Sequence, residues 1–101
     1  MKASQSEKNF RKKVCEDLST LPDCWVESIQ QVAIRGTPDL IVCLKGHFIA
    51  LEIKKEGGVV APLQQYKLDQ ITKAKGYGAA VRPSNWPEIF SHLKRMAYGS
   101  S

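Results

Sequence analysis

The sequence has no long apolar run, and this absence argues against several classes of protein. Nowhere do its 101 residues contain an apolar stretch approaching the roughly 20 residues that a membrane helix needs. The first residues, MKASQSEKNFRKK, lack the apolar core of a secretion signal. Internal repeats and low-complexity tracts are missing too. With 43% hydrophobic and 25% charged residues, the chain is expected to form a single soluble domain over residues 1–101, without a membrane partner.

Cysteine is scarce, and the few cysteines do not form a recognisable framework. There are three, an odd number, and they are widely spaced: Cys15, Cys24 and Cys43. None belongs to a C-x-x-C pair, and none has a histidine nearby at zinc spacing. We therefore expect reduced thiols in a cytoplasmic protein, with neither disulfides nor a zinc site.

Acidic residues are outnumbered by basic ones. The chain has 15 lysines and arginines against 10 aspartates and glutamates, a formal net charge of +5. Basic residues cluster in KNFRKK (8–13), at 54–55, at 67–75 and at 94–95. Scattered solvated lysines would give a similar balance, so the charge favours a polyanionic partner such as nucleic acid only weakly.

The apolar pattern predicts seven elements in the order α-β-β-β-α-β-α. One helical stripe runs up to Pro22 and consists of Phe10, Val14, Leu18 and Leu21. The expected caps are Ser4 or Ser6 for this first helix and Ser84 for the last, which carries Ile89, Phe90, Leu93 and Met96. The predicted bounds are 4–20 and 62–75 for two helices, and 24–34, 39–44, 47–54 and 79–81 for the strands. This order indicates an α/β fold with a mixed central sheet flanked by helices.

Two carboxylates and an amine stand at the ends of two buried strands in GTPDLIVCLKGHFIALEIKK. If Lys45-Gly46 is a two-residue hairpin loop, Leu44 pairs with His47 and Asp39 lies opposite Glu52. Opposed residues of an antiparallel pair share one face of the sheet, and Lys54 shares it by alternation. A longer loop would loosen this register without separating the groups.

Opposed like charges destabilise a sheet unless something compensates them. A divalent cation does so, because Mg²⁺ is usually held by one or two carboxylates together with water and phosphate. The alternative is a surface carboxylate pair that shares a salt bridge with Lys54. Glu7 lies on the apolar stripe of the first helix and could be a partner of the helix dipole. We expect it instead to complete the metal site, whereas Glu16 lies on the opposite, solvated side.

These residues resemble the PD-(D/E)XK nuclease superfamily, whose name describes Pro38-Asp39 and Glu52-Ile53-Lys54 as they stand here. The stretches RGTPDL (35–40), EIK (52–54), Gly57-Gly58 and PLQQ (62–65) resemble its VRR-Nuc branch, the virus-type replication-repair nucleases. The resemblance extends from Glu7 to residues 79–81. It implies a restriction-endonuclease-like αβββαβ core, consistent with the order read from the apolar pattern.

The resemblance also implies roles for individual residues. Asp39 and Glu52 would hold Mg²⁺ or Mn²⁺ with the backbone carbonyl of Ile53, and Lys54 would be the catalytic amine. Glu7 matches the family's first-helix acid, which binds or orients metal and water. Gln65, or Gln64 one position earlier, matches the family's glutamine beside the attacking water; an exposed polar position on the helix is the alternative. The expected phosphate contacts are Lys8, Arg11, Lys12, Arg35 and Lys55.

The implied function is metal-dependent hydrolysis of DNA phosphodiesters, with recognition of shape, such as a four-way junction or flap, rather than of base sequence. Stand-alone relatives of this size resemble phage and bacterial nucleases and archaeal junction resolvases, which act as dimers. A homodimer in the cytoplasm of a bacterial or phage-infected cell is therefore expected. The alternatives are a nucleic-acid-binding module that keeps the fold but does not cut, and an unrelated α/β binding protein.

Overall fold

A computed structural model describes residues 5–29 and 34–99, which form three helices and four strands. In chain order they are α1 (Gln5–Leu18), β1 (Cys24–Ser28), β2 (Leu40–Leu44), β3 (His47–Ile53), α2 (Pro62–Lys73), β4 (Tyr77–Val81) and α3 (Trp86–Tyr98). The predicted order of elements is confirmed, and it is compatible with an αβββαβ core followed by one further helix. Within the described ranges, no helix is both long and apolar enough to cross a membrane.

The four strands form one mixed sheet in the order β1-β2-β3-β4. The β1–β2 and β2–β3 pairs are antiparallel, as expected for a hairpin, and the β3–β4 pair is parallel. Two parallel neighbours need a crossover connection, and α2 supplies it. The predicted mixed sheet is therefore confirmed, and the crossover brings the start of α2 close to the end of β3.

The main apolar core lies on one face of the sheet, beneath α1 and α3. Alternation along β3 directs Ile49, Leu51 and Ile53 to this face, and all three are buried. The predicted stripe of α1 packs here, and the core side chains of α3 are Trp86, Leu93 and Ala97. The indole N–H of Trp86 donates to Asp17 Oδ2 over 2.8 Å, which ties the two helices together.

The second helix covers the opposite face over β3 and β4 only. Its buried residue is Leu68, and the helix backbone at Leu68 passes directly over Gly78 of β4. A Cβ atom added to Gly78 would lie 2.5 Å from the carbonyl oxygen of Leu68, so only glycine permits this approach. The β1–β2 half of that face has no helix over it in the described part of the chain.

Two strand bounds differ from the predicted ones. The first strand ends at Ser28 rather than at residue 34; residues 30–33 lie outside the described residues, and Ile34 stands exposed in a bend. Its ladder continues one step, because Ile29 N–H donates to the Asp39 carbonyl over 2.7 Å. β4 begins at Tyr77, two residues early, because parallel pairing with Ile49 outweighs the poor strand propensity of Gly78.

The helix ends also differ slightly. The first helix spans Gln5–Leu18, so Ser6 lies inside it, and Ser4 falls outside the described residues. The last helix has Asn85 rather than Ser84 at its N-cap position. The backbone N–H of Ser84 is instead donated to the carboxylate of Glu56, so that prediction was wrong. The Asn85 side chain accepts the N–H of Arg82 over 2.7 Å at this helix start.

Candidate functional site

The hairpin between β2 and β3 has the predicted register. Lys45 and Gly46 adopt φ angles of 51° and 84°, and positive φ at both central residues is typical of a two-residue type I′ turn. The pairs run from Leu44–His47 to Leu40–Leu51. One step beyond the last pair, Asp39 lies opposite Glu52. The two carboxylates therefore meet where β2 begins and β3 ends.

Glu52 is the only buried charged residue among those the structure describes, with 4% of its surface exposed. Its Oε2 atom accepts a hydrogen bond from Gln64 Nε2 over 2.9 Å and lies 3.7 Å from Lys54 Nζ. Its Oε1 atom is buried and has no hydrogen-bond partner among residues 5–29 and 34–99. A buried carboxylate oxygen without a donor is unfavourable, so Glu52 has capacity for a further ligand.

The surroundings of Glu52 raise its pKa from the ordinary 4.5 to about 7. Burial is the largest cause, because it penalises the charged form, and the neighbouring Asp39 carboxylate adds to it. Lys54 acts in the opposite direction. The two acids are therefore close enough that ionisation of both is unfavourable. A cation bound between two such carboxylates offsets their repulsion.

Asp39 is fixed on both sides of its carboxylate. Oδ2 accepts a hydrogen bond from the backbone N–H of Ile53 over 2.7 Å, and Oδ1 lies 3.4 Å from Arg11 Nη2. The first contact bridges the strand ends and continues the β2–β3 ladder with a side chain. Ile53 thus enters the site through its amide, while the predicted role of its carbonyl as a metal ligand stays a prediction.

Lys54 is held near Glu52 by a brace that the sequence did not reveal. Arg82 donates to the carbonyl of Gly58 through both Nη2, over 2.6 Å, and Nε, over 3.2 Å. A Cβ atom added to Gly58 would lie 3.3 Å from Lys54 Cβ, so this turn packs directly on the lysine. The hydrogen bond between Glu56 and the Ser84 amide anchors the same turn. An isolated arginine after a short strand carries no local signal for such a role.

Of the two candidate glutamines, Gln64 is the one in the site. Its Nε2 donates to Glu52, and its Oε1 accepts the N–H of Ala61, which caps α2. Gln65 instead donates to Asp69 one turn along the exposed side of the helix, over 2.8 Å. Gln64 is therefore the glutamine that contacts Glu52, one residue before the preferred candidate, and the role of either one beside an attacking water stays a prediction. That step rotates a side chain by about 100° around the helix axis.

Replacing Gln64 with alanine should destabilise the protein at pH 8 by about 1.5–3 kcal/mol, the usual value for a hydrogen bond to a charged group. At that pH Glu52 is ionised and accepts the bond, whereas at pH 5 the loss should be smaller. Urea unfolding at both pH values measures the effect. The matched control is Gln65→Ala, which removes only an exposed contact and should cost less than about 0.5 kcal/mol. Equal costs for the two variants would contradict this assignment.

Helix α1 contacts the site through Arg11. Arg11 was expected among the phosphate contacts, but its guanidinium lies beside Asp39, and its Nε is buried without a hydrogen-bond partner in the described residues. Across residues 5–29 and 34–99, no three His, Cys, Asp or Glu side chains form a group that could hold a metal ion. Glu7 therefore does not complete such a group with Asp39 and Glu52. It lies about one helical turn, roughly 6 Å, before Arg11 on the same helix.

The remaining predicted phosphate contacts lie at the surface. Lys8 and Lys12 are exposed one turn apart on α1, and Lys55 is exposed directly after Lys54. Arg35 is also exposed, and its backbone carbonyl accepts a hydrogen bond from Lys67. This contact joins the segment before Asp39 to α2. These positions make the four cations accessible, and their binding to phosphate stays a prediction.

Two carboxylates, one of them with an unsatisfied buried oxygen, suit a hard divalent cation that completes its shell with water and phosphate. The residues able to hold it are Asp39 and Glu52, with Lys54 beside them. Comparison of the chain with models of known families, with curated proteins and with solved structures found no match.

Proposed function

We propose that this protein is a metal-dependent endonuclease that hydrolyses phosphodiester bonds in branched DNA, in the manner of the PD-(D/E)XK superfamily that the sequence resembles. The observation that carries the proposal is the buried carboxylate of Glu52, which faces Asp39, has an oxygen without a donor and lies 3.7 Å from an amine. Two acids that disfavour joint ionisation gain most from a cation. The structural alternative is a hydrogen bond between the Glu52 and Asp39 carboxyl groups, which requires one of them to be protonated.

The proposed roles follow from the contacts of each residue. Asp39 and Glu52 hold Mg²⁺ or Mn²⁺, which when bound polarises the phosphate and lowers the pKa of water. Lys54 stabilises the developing charge on phosphorus or the nucleophilic water. Gln64 keeps Glu52 in place through its hydrogen bond, and its helix position near the pair would let it contact the same water. The Arg82 brace keeps Lys54 oriented.

Arg11 has two proposed effects. Its charge near Asp39 opposes the charge of a bound cation, so it lowers affinity for the metal. The same guanidinium belongs to a side chain that is 27% exposed, and it can bind an oxygen of the phosphate once DNA arrives. The metal and the DNA would then bind cooperatively, which restrains cleavage until substrate is present.

DNA binding is proposed to rest on phosphate contacts, because such contacts position the duplex without reading its bases. The exposed cations proposed for this are Lys8, Lys12, Arg35 and Lys55. Binding should weaken steeply with salt. A homodimer would present two sites to one branched substrate and make paired cuts.

A second candidate is a nucleic-acid-binding module that does not cut. The ion pairs of Asp39 with Arg11 and of Glu52 with Lys54 favour it, because they partly neutralise both acids without a metal. The absence of a third acidic ligand in the described residues points the same way. The two candidates differ in one measurable property, which is whether divalent cations matter.

The test is incubation of the protein with linear duplex, flap and four-way-junction DNAs, in Mg²⁺ and separately in EDTA. We expect cleavage of at least one branched DNA in Mg²⁺ only, and a higher Tm with Mg²⁺ or Mn²⁺ than with EDTA. Binding to all three DNAs without cleavage in any cation would support the second candidate. Light scattering at micromolar concentration tests the dimer, and a monomer would contradict paired cutting by two sites.

A further inference from the structure

Two aromatic side chains are exposed on the uncovered part of the sheet. Trp25 of β1 is 57% exposed and Phe48 of β3 is 47% exposed. Both lie opposite Cys43 of β2, so the three side chains form one row across the strands and share a face. Two strand spacings separate the two rings, about 10 Å. We call this row the aromatic row.

The aromatic row lies on the same face of the sheet as the carboxylate pair. Phe48 precedes Glu52 by four residues along β3, and Cys43 follows Asp39 by four along β2. Side chains four residues apart in a strand point to the same face and lie about 13–14 Å apart. Helix α2 covers Ala50 and Glu52 but leaves Phe48 open.

The charges around the row are mixed, and the basic ones lie toward its Phe48 end. Exposed Lys45 forms the hairpin turn between Cys43 and Phe48. Exposed Lys75 precedes Gly76, where an added Cβ atom would lie 3.1 Å from the Phe48 carbonyl oxygen. The acidic neighbours are at the Trp25 end: Glu27, beside Trp25 on this face, and exposed Asp23, whose carbonyl accepts the Lys45 N–H over 2.9 Å. The end of the row at Phe48 is therefore the more basic one.

The row is too small for a stable protein interface. A fully buried aromatic side chain contributes about 150–250 Å², so two half-exposed rings offer roughly 200–250 Å². A typical interface needs about 800 Å² from each partner. Nucleic-acid bases need less, because each stacks on a single ring, and aromatic side chains on neighbouring strands of a sheet are a recurrent base-stacking surface.

We propose that the aromatic row binds unpaired bases of single-stranded DNA that leave a branched substrate, with one base stacked on Trp25 and one on Phe48. This inference rests on the proposed function, because it assigns the substrate of that site as DNA with unpaired nucleotides beside the cut. A strand held on the row would cross β1, β2 and β3. Beyond Phe48 its backbone would turn along the sheet to approach Asp39 and Glu52, about 13–14 Å away, within a few nucleotides.

The test is binding of a labelled 12-nucleotide oligo(dT) and of a 12-base-pair duplex in EDTA, where no hydrolysis is needed. Trp25→Leu and Phe48→Leu keep apolar bulk and remove the ring, and we expect each to weaken oligo(dT) binding roughly 5- to 100-fold. Duplex binding should change less than about twofold. The matched control is Tyr98→Leu, an aromatic that is 64% exposed on α3 and lies outside the row.

Tryptophan fluorescence gives a second readout in the unmodified chain. Trp86 is 3% exposed, so quenching on addition of oligo(dT) should come from Trp25 and vanish in Trp25→Leu. Unchanged oligo(dT) affinity in both variants would overturn the inference. It would equally be overturned if light scattering showed that the variants change the oligomeric state while their affinity for oligo(dT) stays the same. If both variants bind oligo(dT) more weakly but the unmodified protein cleaves no DNA, the inference about the aromatic row stands and the proposed nuclease activity is refuted.

Discussion

Replacing Asp39 with asparagine, or Glu52 with glutamine, is expected to reduce Mg²⁺-dependent cleavage of branched DNA by about 1000-fold or more. Each change keeps the size of the side chain and removes one negative charge from the pair that is proposed to hold the cation. A metal ion stabilises the transition state of such reactions by several kcal/mol, and about 4 kcal/mol corresponds to 1000-fold in rate. Gel assays of cleavage under single-turnover conditions measure the loss.

The same two variants should bind branched DNA within a few-fold of the unmodified protein, because the exposed cations proposed to contact phosphate, Lys8, Lys12, Arg35 and Lys55, lie outside the carboxylate pair. The matched control is Glu16→Gln, which removes an exposed carboxylate on α1 and should cleave normally. Full activity in either site variant would refute the assignment of the carboxylate pair. A variant that loses DNA binding because it is unfolded would be recognised by its lowered Tm.

Stability without a metal is expected to fall as the pH rises from about 4.5 to about 7. The pKa of Glu52 is raised to about 7 by burial first and by Asp39 second, while the unfolded chain has the ordinary value of 4.5. Between these values only the unfolded chain releases the proton, so rising pH favours unfolding. At about 1.4 kcal/mol for each pH decade, the loss is roughly 3 kcal/mol.

Urea unfolding in EDTA at pH 4.5, 6 and 8 measures this loss, with Glu52→Gln as the matched variant. Glutamine cannot ionise, so the stability difference between the variant and the unmodified protein should change in favour of the variant by roughly 3 kcal/mol across this range. Adding Mg²⁺ at pH 8 should raise the stability of the unmodified protein and raise that of the variant less. A constant difference at all three pH values would show that Glu52 is not buried beside Asp39 as described.

The carboxylate pair was predictable because its geometry depends on local chemistry. Lys45-Gly46 offers the positive φ angles of a two-residue turn, and the apolar runs on either side then have one register that buries them. That register alone brings Asp39 opposite Glu52. The buried stripe of α1 follows in the same way from helical periodicity.

The groups that complete the site were not predictable to the residue. Gln64 and Gln65 are equally polar neighbours, and only the packing of α2 over β3 and β4 selects the one that faces Glu52. Arg11 meets Asp39 because of where α1 lies relative to the start of β2, and no local pattern contains that position. Arg82 acts through a turn 24 residues earlier in the chain.

The amino-acid sequence by itself determined the order of the elements, the hairpin register and thus the two acids with their lysine, since turn conformation and strand alternation are short-range properties. Only the tertiary structure decided that an arginine and a glutamine from two different helices surround this pair, and that two rings on the same face stay uncovered. Those outcomes depend on how far each helix extends over the sheet. That extent is set by packing between segments distant in the chain, such as the close approach of Leu68 to Gly78.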